Sequence, residues 1–188
     1  MTIDEEKKQL RSLIKRKVAS LSNAYCQQAD AGICQRVRAL DEYKKAKTIF
    51  AYVGRYDEIN TKPLIMQALA EQKRVGVPLC IGKGFMEVRE IRGLEDLQDG
   101  PYGIQEPRHD LPLLQPGDID IAVIPCLTCN TKGERLGYGG GFYDRYLEKS
   151  SFLRVILCRQ QIMVPTIPTD SHDIPMDVVI SEVATIYV

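Results

Sequence analysis

The chain has 188 residues, 44% hydrophobic and 27% charged, an ordinary globular composition and enough length for one domain that buries roughly 70% of its unfolded surface without a metal or disulfide. Twenty-five Lys and Arg balance 25 Asp and Glu, so bulk charge offers no grip on nucleic acid or a membrane surface. The amino terminus is charged, with no signal-peptide core, and no stretch approaches the roughly 20 apolar residues of a membrane span; the expected location is the cytoplasm.

Thr2 and Glu5 have capping-box spacing, and Leu10, Leu13, Ile14, Val18 and Leu21 then recur at helical intervals, which predicts an amphipathic helix over 3–21. A second helix is expected over about 23–45 despite Gly32, giving an N-terminal helix pair. "TIFAYV" (48–53) reads as a strand, and "TKPLIMQALAEQ" as a helix with Pro63 in its first turn, where proline is tolerated. "RVGVPLCI" and "MEVREI" (86–91) read as strands, and 93–118 as loop. "IDIAVIPC" (119–126) is an almost continuous apolar run, the pattern of a strand covered on both faces. "GFYDRYLEKS" is expected to be helical, "RVILC" a buried strand, and the tail a proline-rich loop ending in "DVVIS" and "ATIYV". Strands separated by helices predict a three-layer, Rossmann-like α/β domain over 1–188, with a mostly parallel sheet.

Cys126 and Cys129 have C-x-x-C spacing, but the only histidines are His109 and His172, and no second pair accompanies them. Two incidental free thiols are the expectation.

"GERLGYGGGFYDRYL" (133–147) holds five of the chain's 14 glycines. It lies between a buried strand and a helix start, where open α/β sheets bind ligands. Gly137, Gly139, Gly140 and Gly141 allow main-chain N–H groups to approach a ligand, and the helix start adds unpaired donors. The pattern is neither a Walker A loop nor the dinucleotide fingerprint. By spacing alone, phosphate binding and a tight strand–helix turn remain equally open. Arg135 precedes the loop and Asp144 follows it, residue types suited to phosphate and to Mg²⁺, though a surface arginine and a first-turn acid explain each singly.

The same stretch resembles the signature of the 5-formyltetrahydrofolate cyclo-ligase (methenyltetrahydrofolate synthetase) family, G-x-R-L-G-x-G-x-G-[FY]-Y-D. "KKQLR", "DEINT" (57–61), "GIQEP" (103–107), "DIDIAVIP" and "HDIPMDVVIS" match in the same order along nearly the whole chain. The resemblance implies the NagB/RpiA/CoA-transferase-like fold. It also implies ATP- and Mg²⁺-dependent conversion of 5-formyltetrahydrofolate to 5,10-methenyltetrahydrofolate. Lys7 and Arg11 would contact ATP phosphates, and Arg135, Leu136, Gly137, Tyr138, Gly139, Gly140, Gly141, Phe142 and Tyr143 would form the nucleotide loop. Arg135 and Tyr143 would carry catalysis, while Arg55, Glu58, Asn60, Phe142 and Tyr143 would receive the folate. Asp144 and Asp173 would hold Mg²⁺. The partners expected are the two small molecules alone, with the protein a monomer or weak dimer. Read without the resemblance, Lys7 and Arg11 are a solvated helix face, and Phe142 and Tyr143 are core residues. "PCLTCNTKG" departs from the family pattern, Cys126 standing where relatives have glycine, and Gly140 stands where many have lysine. A sugar-phosphate isomerase or CoA-transferase-like enzyme, or a non-catalytic folate- or nucleotide-binding regulator, would also use such a loop.

Overall fold

The computed structural model describes residues 2–188. Helix α1 (Ile3–Ser20) opens on the expected capping box: Thr2 N–H donates to Glu5 Oε2 at 2.8 Å, and Glu5 N–H to Thr2 Oγ1 at 3.3 Å. The second predicted helix is two, α2 (Asn23–Ala39) and α3 (Asp41–Lys45), separated at Leu40, whose ψ of 135° is extended. Leu40 is buried in the core, so the chain turns there to insert it. Gly32 sits inside α2 against Glu182, where a Cβ would make only ordinary contact at 3.4 Å, so the helix runs through it unbroken.

Strands β1 (Thr48–Ala51) and β2 (Arg74–Gly82) flank helix α4 (Lys62–Ala70) in sequence, and β3 (Phe85–Ile91) returns antiparallel to β2. The segment predicted as loop holds three short strands, β4 (Leu97–Asp99), β5 (Gln105–Pro107) and β6 (Leu113–Leu114), too brief to show a period of two. Then come β7 (Ile121–Ile124), the hairpin β8 (Thr128–Cys129) and β9 (Arg135–Leu136), and helix α5 (Phe142–Leu147). Strands β10 (Leu153–Leu157), β11 (Val178–Ile180) and β12 (Thr185–Tyr187) complete the chain. Helix α5 is shorter than the ten residues expected and contributes a correspondingly small dipole.

The main sheet has the order β12-β11-β10-β7-β1-β2-β3-β6, parallel from β11 to β2 and antiparallel at both edges. β1 and β7 are buried along their whole length, as continuous apolar runs require. Alternate residues serve opposite faces. Ile49, Val123 and Val155 meet α2 and α4 through Ile33, Val37 and Leu64. Phe50, Ile124 and Ile156 meet α1 and α5 through Ile14 and Leu147. The three layers are therefore as expected, but α1 and α2 sit on opposite faces rather than packing as a pair. Among the described residues no helix is long and apolar enough to cross a membrane.

Candidate active site

The strand order reverses between β1 and β7: β2 lies to one side of β1, while β7, β10 and β11 follow on the other. Such a switch point leaves a crevice beyond the carboxyl ends of the strands. Here it is a cavity of about 580 Å³, entered by Tyr52 and Val53 after β1 and by Pro125 after β7. Helix α1, the glycine loop and the 102–106 turn wall the rest.

One end is cationic. Lys7 and Arg11 both line this cavity, Lys7 buried and Arg11 partly so. Lys7 is 7% exposed and its Nζ donates to Asp170 Oδ2 at 2.7 Å and Asp173 Oδ2 at 2.6 Å. Burial pulls the Lys7 ammonium down, but the two carboxylates more than offset it, so its pKa sits above the ordinary lysine value. Arg11 Nε donates to Gly137 O at 2.9 Å, tying α1 to the glycine loop. Arg135 is 8% exposed rather than a surface side chain. Its Nη2 donates to Asp144 Oδ1 at 2.5 Å, and its guanidinium lies 5.8 Å from the Tyr143 ring centre. Its buried Nε has no hydrogen-bond partner among the described residues, an orphaned donor of the kind a ligand anion satisfies.

The glycines have two distinct reasons. A Cβ on Gly137 would come within 3.0 Å of Arg135 Nη1, so the missing side chain lets the guanidinium lie against main chain. Gly141, the residue before α5, has φ of +69°, a left-handed conformation that starts the helix sharply. The far side is braced by Arg145, whose Nη1 donates to Gly140 O and Gly84 O, both at 3.1 Å. That strut, absent from the sequence expectations, joins the loop to the β2–β3 turn.

Asp144 and Asp173 both line the cavity. Each has one carboxylate oxygen engaged by a cation, Oδ1 of Asp144 by Arg135 and Oδ2 of Asp173 by Lys7. The other oxygen of each is available, and two such hard donors beside a cationic, glycine-walled end are of the type Mg²⁺ takes, one or two carboxylates together with phosphate oxygens.

The other end is aromatic and carboxylic. Tyr143 stacks on Phe50, with ring centres 6.0 Å apart and planes 6° apart. Burial first, then the Glu58 charge, raises the Tyr143 pKa well above the ordinary phenol value, while Arg135 lowers it, so the group is a hydrogen-bond donor rather than a base. Phe142 meets Tyr102 edge-on at 6.5 Å. Arg55 lies 4.8 Å over the Tyr138 ring and pairs with Asp57 at 3.2 Å and Glu58 at 3.5 Å. Glu58 Oε2 accepts the Arg55 N–H at 3.0 Å. Burial raises the Glu58 pKa, and that main-chain hydrogen bond and Arg55 only partly oppose it, so this carboxyl holds its proton above the usual range.

Asn60 is not brought to the cavity. Its Oδ1 accepts the Lys62 N–H at 3.2 Å at the start of α4, the turn chemistry its sequence position alone suggests. Conversely, Glu106, Tyr102 and Asp170 carried no assigned role. Glu106 lines the cavity nearly buried and accepts the Cys80 N–H at 3.1 Å, and burial raises its pKa too. The "GIQEP" stretch was the one signal that could have found it.

The model of the 5-formyltetrahydrofolate cyclo-ligase family matches residues 3–182. The 5-formyltetrahydrofolate cyclo-ligase of Haemophilus influenzae is 32% identical over 178 residues, 92% of this chain and 95% of that protein. The solution structure of Aquifex aeolicus 5,10-methenyltetrahydrofolate synthetase superposes with a TM-score of 0.85 at 27% identity, covering 96% of this chain and 92% of that one. The synthetase from Mycoplasma pneumoniae shares the fold, with a TM-score of 0.77 at 23% identity over 94% of this chain and 99% of that one. With the family model spanning residues 3–182 and the signature loop walling the cavity, the chain belongs to the 5-formyltetrahydrofolate cyclo-ligase family.

Proposed function

We propose that this protein converts 5-formyltetrahydrofolate and ATP into 5,10-methenyltetrahydrofolate, ADP and phosphate, with Mg²⁺. The observation that carries the reading is the division of one cavity into a cationic, glycine-walled end and an aromatic, carboxyl-bearing end. A triphosphate and a pterin need those two environments side by side.

The chemical obstacle is that a formamide oxygen is a poor leaving group. It becomes a good one when it takes the terminal phosphoryl group of ATP, after which N10 of the folate attacks the formyl carbon, the ring closes and phosphate departs. No protein nucleophile is required, only alignment and neutralisation of developing charge. Lys7, Arg11 and Arg135 supply that charge, each worth about 2–4 kcal/mol in the transition state by analogy with deletion of oxyanion donors. Bound between Asp144 and Asp173, Mg²⁺ would offset phosphate charge and hold the triphosphate in line. Arg135 is already oriented by Asp144, and its unpartnered Nε points to a phosphate oxygen as its missing acceptor. Tyr143, kept a phenol, donates toward the reacting oxygen, and the stacked Phe50–Tyr143 wall excludes water. Glu58 and Arg55 orient the pterin.

All six cysteines are free, in keeping with the reducing cytoplasm as the working compartment. The test is the absorbance of methenyltetrahydrofolate in a mixture of protein, ATP, Mg²⁺ and 5-formyltetrahydrofolate. Signal should grow, and should vanish when any one component is omitted. Folate binding without turnover would favour a regulator instead, and no folate binding at all an isomerase-like enzyme.

A further inference from the structure

Cys126 and Cys129 are not an isolated pair. Cys126 follows β7 by two residues and Cys158 follows β10 by one, and the parallel ladder pairs Ile124 with Ile156. Two residues further on, that register brings Cys126 level with Cys158. The chain then folds back, with Leu127 N–H donating to Leu136 O at 2.8 Å, and Cys129 turns into the same space. The three Sγ atoms all lie within 4.8 Å of one another. We propose that Cys126, Cys129 and Cys158 form a binding site for one thiophilic cation, Zn²⁺ or Cu⁺.

Sulfurs bound to one such ion at about 2.3 Å stand roughly 3.8–4.0 Å apart, so the cluster needs to contract by no more than about 1 Å. Three sulfurs select soft ions over Mg²⁺, and among the described residues no histidine or carboxylate joins them. The site is therefore chemically distinct from the carboxylates of the ATP-binding cavity. Cys129 and Cys158 are buried, while Cys126 is partly exposed and borders a second void of about 10 Å³. That volume is at the lower limit for one water molecule, a fourth ligand for Zn²⁺, whereas Cu⁺ is satisfied by the three sulfurs. Each thiol loses its proton to solvent on binding, three protons for one ion, so the site loads more tightly as pH rises.

The site has a structural consequence. Cys129 pairs with Arg135 across the β8–β9 hairpin, and Pro125, beside Cys126, lines the large cavity. A bound ion fastens the hairpin that presents Arg135 to the ends of β7 and β10.

The experiment uses the full chain, reduced and stripped with chelator under anaerobic conditions. One arm titrates Co²⁺ as the visible surrogate for Zn²⁺ and then displaces it with Zn²⁺; the other titrates Cu⁺ against a chromogenic Cu⁺ chelator. The expected result is one equivalent bound in at least one arm, with sulfur-to-cobalt charge-transfer absorption in the first. Cys126→Ser and Cys158→Ser should each weaken binding at least tenfold, and Cys26→Ser should leave it unchanged. Cys126 is only partly buried, so its serine variant remains informative where Cys158→Ser unfolds; circular dichroism checks both. Failure of both ions to bind at one equivalent overturns the proposal, and so does binding that survives in folded Cys126→Ser.

Discussion

Two ion pairs stand at the cationic end of the cavity, alike in chemistry and opposite in origin. Arg135 and Asp144 are nine residues apart and meet at 2.5 Å across the glycine loop and the first turn of α5. Lys7 and Asp173 are 166 residues apart and meet at 2.6 Å only because α1 and the C-terminal tail close on the same crevice. The first pair is part of the loop it serves. The second fastens the ends of the chain together across the site. Local pairs fix the direction of one side chain, whereas distant pairs fix the shape of the cavity.

Breaking the local pair should have the largest effect. Arg135→Ala should lower turnover about 10²–10³-fold, the scale of a lost oxyanion donor. Because Arg135 is buried and paired, not a surface residue, the same change should also cost about 1–3 kcal/mol of stability in urea denaturation. Wild-type turnover would remove Arg135 from the phosphate end. Breaking the distant pair should act differently. Lys7→Met should raise the KM for ATP roughly tenfold or more and expose the 165–175 tail to limited proteolysis, with little change in the loop itself. If the tail stays as protease-resistant as in wild type, Lys7 does not hold the ends together.

A smaller effect is expected from the strut. Arg145→Ala should raise the KM for ATP a few-fold with kcat nearly unchanged, since Arg145 grips the carbonyls of Gly140 and Gly84 rather than the cavity. A matching fall in kcat would place it in the chemistry instead. The smallest expected change is in stability with pH. Folded Glu58 binds its proton more tightly than the unfolded chain, so the stability it contributes is full below the ordinary glutamate pKa and is lost as pH rises through its raised folded value. Glu58→Gln removes that loss. The variant should therefore gain on wild type in urea midpoint between pH 4 and pH 7.5, while losing folate affinity. A constant difference across that range would mean that Glu58 titrates normally.

The pattern of legibility follows from the same contrast. β1 and β7 were readable because burial on both faces imposes an apolar run. The start of α1 was readable because its capping groups are three residues apart. The loop, Arg135 and Asp144 stood out because their chemistry is packed into ten positions. By contrast, β4, β5 and β6 are too short to print a period, and the break at Leu40 depends on the core that receives that side chain. Glu106 reaches the cavity only because the 102–106 turn folds over it, and Cys158 joins its two partners only through the register of β7 with β10.

The sequence by itself determined the order of the central strands and long helices, the layering of an α/β sheet and the glycine-rich character of the loop, since periodicity, capping and glycine spacing act within a few residues. Only the tertiary structure decided that α1 and α2 part to opposite faces, that Lys7 is buried between two aspartates, and that three cysteines share one pocket. Those outcomes depend on which distant surfaces exclude water together, and no local pattern encodes that.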